Sequence, residues 1–556
     1  MKTNISKTII AALAIVMCHT IAAQAQNGNV KKAAEAVFTL TTFNADGSII
    51  ATTNGVFVDN NGTAIAPWTP FVGADHATIT DSKGTKHNVE SLTGANAIYD
   101  MAKFNVSGTV PAFIACSTQK ASASSQTWIV PNKKSDTPKE ATVSSVETFM
   151  NNYAYYIVRT DANEMCKGCP AVDNSGKLLG LYTPSATTQS ITDAQLPMAF
   201  TTNGMSQNDP TLRLSNIRIS LPNDEKQAQL ALMLSAEQGE RNYEATTEEF
   251  ISKFPKNNDG YYAKALITAG KQTAEQAEAI LQTAIKNVTN KAEAHYNYSR
   301  FMLSLASATD DANKKSQYLD KSLEQAKEAQ SLFPEPAYKQ LEAQAYYEKG
   351  DFQQAYDTYM SLTNGELHNG EPYYRAALSR EQLGGTDTEI LELLNKAVEA
   401  CDTPYTVVAA PYFLARGIQY DKMKDYRKAM SDLYLYEALM NGQLGAPFYF
   451  MRGQSEAKGR IYQPALNDIA HAIALDPRNT MYWAELASLN LRVNKLPEAI
   501  KAAEQCIALD ADMSEAYLVM GIAQIETGKK TEGIKNIEKA KSLGNEQADT
   551  FHNKYK

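Results

Sequence analysis

Residues 446–479 read APFYFMRGQSEAKGRIYQPALNDIAHAIALDPRN, residues 480–513 read TMYWAELASLNLRVNKLPEAIKAAEQCIALDADM, and residues 514–547 read SEAYLVMGIAQIETGKKTEGIKNIEKAKSLGNEQ. Set one above another, these three blocks of 34 agree in four columns: Tyr449, Trp483 and Tyr517; Gly453, Ala487 and Gly521; Ala465, Ala499 and Gly533; Ala472, Cys506 and Ala540. An aromatic residue near the start of one helix, a small residue four positions later on the same face, and two small residues in a second helix describe a hairpin whose helices pack closely. One such hairpin cannot bury both of its apolar faces, so the pattern predicts a stack in which neighbours bury them, an extended superhelix with a concave groove.

The pattern extends upstream. Gly417, Tyr420 and Ala429 fit one unit with a 36-residue step to the next, and Ala265, Ala277 and Ala284 fit an earlier one. Gly350-Asp351-Phe352-Gln353-Gln354-Ala355, followed by Tyr359, reads as a turn into a second helix. These blocks resemble the tetratricopeptide repeat, with Pro477 at the helix-ending position and Ala511 in place of proline one unit on. About nine units fit residues 222–547, and 548–556 form a polar end. Segments 292–335 and 370–408 fit poorly and are expected to contain lengthened helices or loops.

The chain has 556 residues and a mass of 60.9 kDa, more than one core usually organises, so a further domain is expected before the array. A hydrophobic fraction of 44%, a charged fraction of 21% and a mean hydropathy of −0.37 describe a folded, water-soluble chain. The formal net charge of −9 leaves no cationic surplus to displace phosphate counterions, which argues against a nucleic-acid partner. Lys2 and Lys7, the apolar run Thr8 to Ala23 and the small residues of Ala23-Gln24-Ala25 read as an export signal over residues 1–25. Its removal would leave Gln26 first and take the net charge from −9 to −11. A membrane anchor and a lipid-modified Cys18 are the weaker alternatives: the run is short for a span, and Met17 stands where a lipoprotein signal has a small residue. The expected location is the periplasm or cell envelope, with the outer membrane or the exterior as alternatives.

Residues 26–221 read differently. Runs at Val37 to Thr42, Thr53 to Val58, His76 to Thr80, Thr127 to Pro131, Ala154 to Arg159 and Leu178 to Tyr182 look like strands. They are punctuated by Asp46-Gly47, Asn61-Gly62, Lys83-Gly84 and Ser175-Gly176, which predicts an antiparallel barrel or sandwich. Leu212 to Leu221 alternates apolar and polar until Pro222-Asn223-Asp224 stops it.

The stretch Asn54-Gly55-Val56-Phe57-Val58-Asp59-Asn60-Asn61-Gly62-Thr63-Ala64-Ile65 is similar to the opening of bacterial trypsin-like serine proteases. The resemblance implies an all-β double barrel, and with it places the catalytic histidine position on Thr69, the acidic position on Asp100 ahead of Met101-Ala102-Lys103-Phe104, and the serine position on Lys167. The last follows because Met165-Cys166-Lys167-Gly168-Cys169-Pro170 matches the family's GNSGGP, and the downstream Asn174-Ser175-Gly176-Lys177-Leu178-Leu179-Gly180 keeps its register. Threonine takes no proton at neutral pH, and a cationic lysine is a poor nucleophile. Asp100 is therefore expected to pair with Lys167 or to accept backbone hydrogen bonds. Gly168 keeps a glycine of the family's oxyanion loop, whereas methionine at 165 and cysteine at 169 should disturb its tight turn.

Five cysteines remain after signal removal, an odd and sparse set that is no disulfide framework. Cys166 and Cys169 could be a disulfide, a redox pair or half of a metal site. No histidine pairing suits zinc, and no organic cofactor or metal is expected. The expected function is that of an exported, non-catalytic scaffold or adaptor of the bacterial envelope, which binds a protein or peptide through the repeats. The alternatives are a divergent protease using Cys166 or Cys169 as nucleophile, with the repeats presenting substrate, and redox chemistry at that pair. Residues four apart on the first helices, namely Phe450, Gln454 and Lys458, then Ala484, Ser488 and Arg492, then Leu518, Ile522 and Glu526, are the candidate peptide groove.

Overall fold

The computed structural model describes residues 28–132, 136–150, 152–363 and 369–555. The export-signal segment and Cys18 lie outside them. The chain divides into two compact units between Ala294 and His295.

Some strands, such as Val37–Phe43 and Tyr153–Thr160, alternate buried with more exposed side chains, while others, such as Pro170–Val172 and Ser190–Asp193, are buried throughout. Together they form two closed antiparallel barrels of six strands each. The first has strand order β1 (Val37–Phe43), β2 (Ile49–Phe57), β3 (Thr63–Ala66), β6 (Met101–Val106), β5 (Lys86–Asn96) and β4 (His76–Thr80), which returns to β1. The second has β10 (Pro170–Val172), β11 (Leu178–Thr183), β12 (Ser190–Asp193), β9 (Tyr153–Thr160), β8 (Lys139–Phe149) and β7 (Gln126–Ile129). Closure leaves neither sheet with a free edge. Phe38, Leu40, Phe57, Phe71 and Phe104 fill the first barrel, while Tyr156, Tyr182, Ile129 and Ile191 fill the second. Between them, Val37, Val56, Ile65 and Met101 meet Val130, Val172 and Leu181.

The alternating stretch before Pro222 is not a full strand. Leu212–Leu214 is a 3-10 turn, and beyond it Leu92 N–H donates to Arg218 O (2.8 Å) while Ser220 N–H donates to Leu92 O (2.9 Å), a parallel bridge onto β5. Ile217 and Ile219 enter the barrel core, and Leu221 faces the other way.

From Glu225 the described residues form nine helical hairpins and a final helix, Ala548–Tyr555. The first two hairpins belong to the same compact unit as the barrels. Leu221 packs with Ala228, Leu232 and Phe250, Arg241 Nη1 donates to Asp75 Oδ2 (2.9 Å), and Arg218 pairs with Glu249. The texture of the sequence changes at residue 222, but the packing boundary lies beyond residue 294, because these hairpins bury an apolar face against the double barrel and join it through Arg241, Lys253 and the Arg218–Glu249 pair.

Helices Lys291–Ala308, which begins in the first unit, and Ala312–Leu332 are longer than those of the 34-residue hairpins, and residues 400–409, which include the 3-10 turn Val407–Ala409, form a long connection. The small-residue columns mark close helix approach. A Cβ on Gly453 would lie 2.9 Å from Ile469 Cγ1, and a Cβ on Gly521 would lie 2.7 Å from Gly533 O. The aromatic column serves the turns: Trp483 Nε1 donates to Pro477 O at 2.9 Å. The polar end at 548–556 carries the last helix, whose Ala548, Phe551 and Tyr555 cover Leu518, Ile522 and Ile537.

Candidate functional site

Thr69 follows β3 on a 3-10 turn, Thr69–Phe71, and Asp100 immediately precedes β6. The structure brings the two together. Asp100 Oδ1 accepts the Thr69 backbone N–H at 2.7 Å and the Thr69 hydroxyl at 2.8 Å. The carboxylate at the acidic position thus holds a threonine where the resemblance expects an imidazole, so the ring that would take the nucleophile's proton is missing from this position. Among the described residues, Asp100 and Lys167 form no ion pair.

Lys167 is half-buried in the loop between β9 and β10, and its carbonyl ties that loop to β2. Lys167 O accepts from Asn54 N–H (3.3 Å) and Asn54 Nδ2 (2.9 Å). Gly168, at φ 75°, lies so close to Asn54 O that no Cβ fits between them. An oxyanion hole in this fold needs the amides of the nucleophile and of the residue two before it to point outward. Here Met165 N–H donates to Asn163 Oδ1 (3.1 Å) and Lys167 N–H to Glu164 O (3.1 Å). Both are consumed by the 3-10 turn Glu164–Cys166, which replaces the glycine-dependent turn while Gly168 alone keeps a left-handed φ.

Cys166 and Cys169 are buried and unbridged. The neighbouring thiols act on each other, so that Cys166 is lowered against the opposing effect of burial while Cys169 is raised, with burial adding to the rise. Among the described residues, no group of three or more His, Cys, Asp or Glu side chains converges as a metal site requires.

Of the candidate groove residues, Phe450, Ala484, Ser488 and Leu518 line one cleft of about 620 Å³. Gln454 is half-buried outside it, Lys458 reaches Asp421 at 3.4 Å, and Arg492 is exposed at the end of its helix. Ile522 is not on the groove face: it packs beneath the last helix against Ile537 and Ala548. Glu526 accepts a hydrogen bond from Tyr555 at 2.6 Å.

A buried polar cluster in the second unit escaped the sequence reading. Arg452, 3% exposed, forks onto Asp468 (2.6 and 3.0 Å), reaches Glu437 at 2.6 Å, and lies 4.4 Å from the centre of the Tyr434 ring. Arg416 and Asp432 form the same fork at 2.7 and 2.9 Å, 36 residues earlier. That recurrence, an Arg–Asp pair 16 apart repeated at the repeat step, was the available signal. Beside Arg452, Glu456 is fully buried, and its Oε2 has no hydrogen-bond partner. Burial pushes its carboxyl up to about 7, the Tyr434 hydroxyl and Arg452 oppose this, and Asp468 and Glu437 add to it. A carboxyl raised on folding contributes stability that is complete below its unfolded value and lost as pH rises through the folded one. Thermal melts should therefore show a loss on the order of 3 kcal/mol between pH 4.5 and 8. Glu456→Gln should flatten that fall; an unchanged profile in this variant would assign it to other groups.

No protein-family model matches the chain. The chain is similar to small glutamine-rich tetratricopeptide repeat-containing protein 2 of Saccharomyces cerevisiae, 26% identical over 98 residues, covering 18% of this chain and 28% of that protein. It is also similar to the DnaJ homolog subfamily C member 7 homolog of Dictyostelium discoideum, 23% identical over 105 residues, 18% of this chain and 20% of that one. The chain thus spans under a third of the length of either relative. Among solved structures, the active form of the Rv3671c protease from M. tuberculosis aligns with 32% of this chain and 84% of its own, at 14% identity and a TM-score of 0.28. The inactive form aligns with 32% and 93%, at 14% identity and a TM-score of 0.27. The chain itself joins two closed six-stranded antiparallel barrels to a stacked array of helical hairpins.

Proposed function

We propose that this protein is an exported, non-catalytic scaffold of the bacterial envelope that binds a polypeptide through the first helices of its C-terminal hairpins. The double barrel acts as a second binding or positioning module. The observation that carries the reading is the contrast between its two sites. The barrel site has no imidazole beside Asp100, and its amides at 165 and 167 are spent within their own turn, whereas the array presents a cleft lined by the half-buried Phe450 and the exposed Met481. One of the relatives named above carries this repeat type in its name, which fits a protein partner. Among the described residues no helix is long and apolar enough to cross a membrane, and the Lys2–Ala25 pattern supplies the export reading.

A second reading, thiol chemistry at Cys166, is favoured by one fact, the lowered thiol beside Cys169. One preparation tests both. Protein purified from the envelope fraction should leave unfolded casein intact with or without a thiol-alkylating agent. It should also retain a partner that Phe450→Ala loses in pulldown. Cleavage that alkylation blocks, and that Cys166→Ser or Cys169→Ser removes, would overturn the non-catalytic reading; an identical partner set for Phe450→Ala would overturn the groove.

A further inference from the structure

The cleft that the groove residues share has a definite charge. Its apolar floor is Phe450, Met481 and Leu518, and three carboxylates stand on its walls: Glu485, Glu515 and Glu546. No lysine, arginine or histidine lines it. Lys458 is turned to Asp421, and Arg492 stays outside. None of the three glutamates forms an ion pair among the described residues, and they come from different places in the chain: the helix Thr480–Arg492, the first turn of Ser514–Glu526, and the turn ahead of Ala548–Tyr555.

Like charges gathered in a cleft over an apolar floor focus the field into it, so the site attracts cations and repels carboxylates. Met481, 57% exposed, is an unbranched and adaptable side chain suited to receiving varied apolar groups. We infer that the cleft binds an extended segment of a partner polypeptide in which lysine or arginine side chains alternate with large apolar ones. The apolar groups seat against Phe450, Met481 and Leu518, and the cationic ends reach Glu485, Glu515 and Glu546. This rests on the reading above that the hairpins bind a polypeptide, and it adds the partner's chemistry: an acidic chain end or acidic motif is excluded.

The test uses the full mature chain and fluorescence anisotropy with two labelled probes, a short peptide alternating lysine and leucine and its counterpart alternating glutamate and leucine. The lysine peptide should bind, more weakly as salt rises, and the glutamate peptide should not. The triple variant Glu485→Gln, Glu515→Gln, Glu546→Gln should weaken the lysine peptide by about tenfold, since three exposed charge pairs each contribute a fraction of a kcal/mol. A control with the same change in net charge, Glu498→Gln, Glu504→Gln, Glu532→Gln, alters exposed positions outside the cleft and should leave binding unchanged. Equal weakening by both triple variants, no effect of the first, or equal binding of the two probes would overturn the inference. If the glutamate peptide binds and Phe450→Ala abolishes it, the groove stands and only its assigned charge preference falls. If neither probe binds and Phe450→Ala leaves native pulldown unchanged, the groove reading itself falls.

Discussion

Arg452→Ala is expected to destabilise the second unit by about 3–5 kcal/mol, because it strands carboxylates that the fold has already taken out of water. The guanidinium is 3% exposed and satisfies both Asp468 oxygens and one of Glu437, and it also packs 5.1 Å from the Phe448 ring centre. A second variant separates the loss of the pair from the loss of packing. One repeat on, the equivalent positions are Leu486 and Ala502, and both pack into the apolar core of the following hairpins. The double change Arg452→Leu with Asp468→Ala copies that solution and should recover most of the loss, since an apolar replacement of a whole buried pair is often neutral. Glu437, 28% exposed, then turns to solvent. Urea titrations followed by helical circular dichroism decide the matter. A loss below 1 kcal/mol for Arg452→Ala, or a double variant less stable than the single one, would contradict this account of the cluster.

Gly168→Ala is expected to cost about 2–5 kcal/mol, adding the left-handed backbone cost of a Cβ to the overlap it would meet. The new carbon would collide with Asn54 O and lie 3.0 Å from Pro67 Cδ, both held by strand pairing or core packing. The loop can relieve this only by leaving β2, which breaks the hydrogen bonds from Asn54 to Lys167 O. Gly47→Ala is the comparison, since Gly47 has φ 82° with nothing within 4 Å, so only the backbone cost of about 1–2 kcal/mol applies. Denaturation of the two variants, with proteolytic sensitivity of residues 163–169 as the local readout, tests the difference. Equal losses and an equally protected loop would mean that the contact with β2 does not hold the 163–169 turn.

Both results bear on what the chain's local pattern can carry. The four columns at 34-residue spacing report close helix approach directly, as the contact of Gly521 with Gly533 shows: wherever two helices touch along a hairpin, the touching positions must be small in every copy. The strands at Val37, His76, Thr127 and Ala154 were legible because period-two burial leaves its mark on consecutive residues, while those at Thr53 and Leu178, largely buried, were legible as apolar runs bounded by turn residues. The Leu212 to Leu221 alternation carried the same mark and ended otherwise, since Leu212–Leu214 turns before the chain reaches β5 and only Leu92 remains to pair with it. At the barrel site, resemblance to two separate motifs was enough to assign Thr69 and Asp100 to neighbouring positions, but it could not say where the amides of Met165 and Lys167 point. That depends on the 3-10 turn which Asn163 caps.

By itself, the sequence determined the repeat, the two textures, the strand-rich half and the absence of an imidazole at position 69, all of which are set by neighbours along the chain or by identity at one position. Tertiary structure alone decided that the hairpins before Ala294 pack with the barrels, that Arg452 faces Asp468 and Glu437, and that Glu485, Glu515 and Glu546 share a cleft without a base. Each of these depends on how far one hairpin is rotated and shifted against the next, and that rotation is fixed by the summed packing of many side chains. Periodicity records which face of a helix is buried; it does not record which partner covers that face.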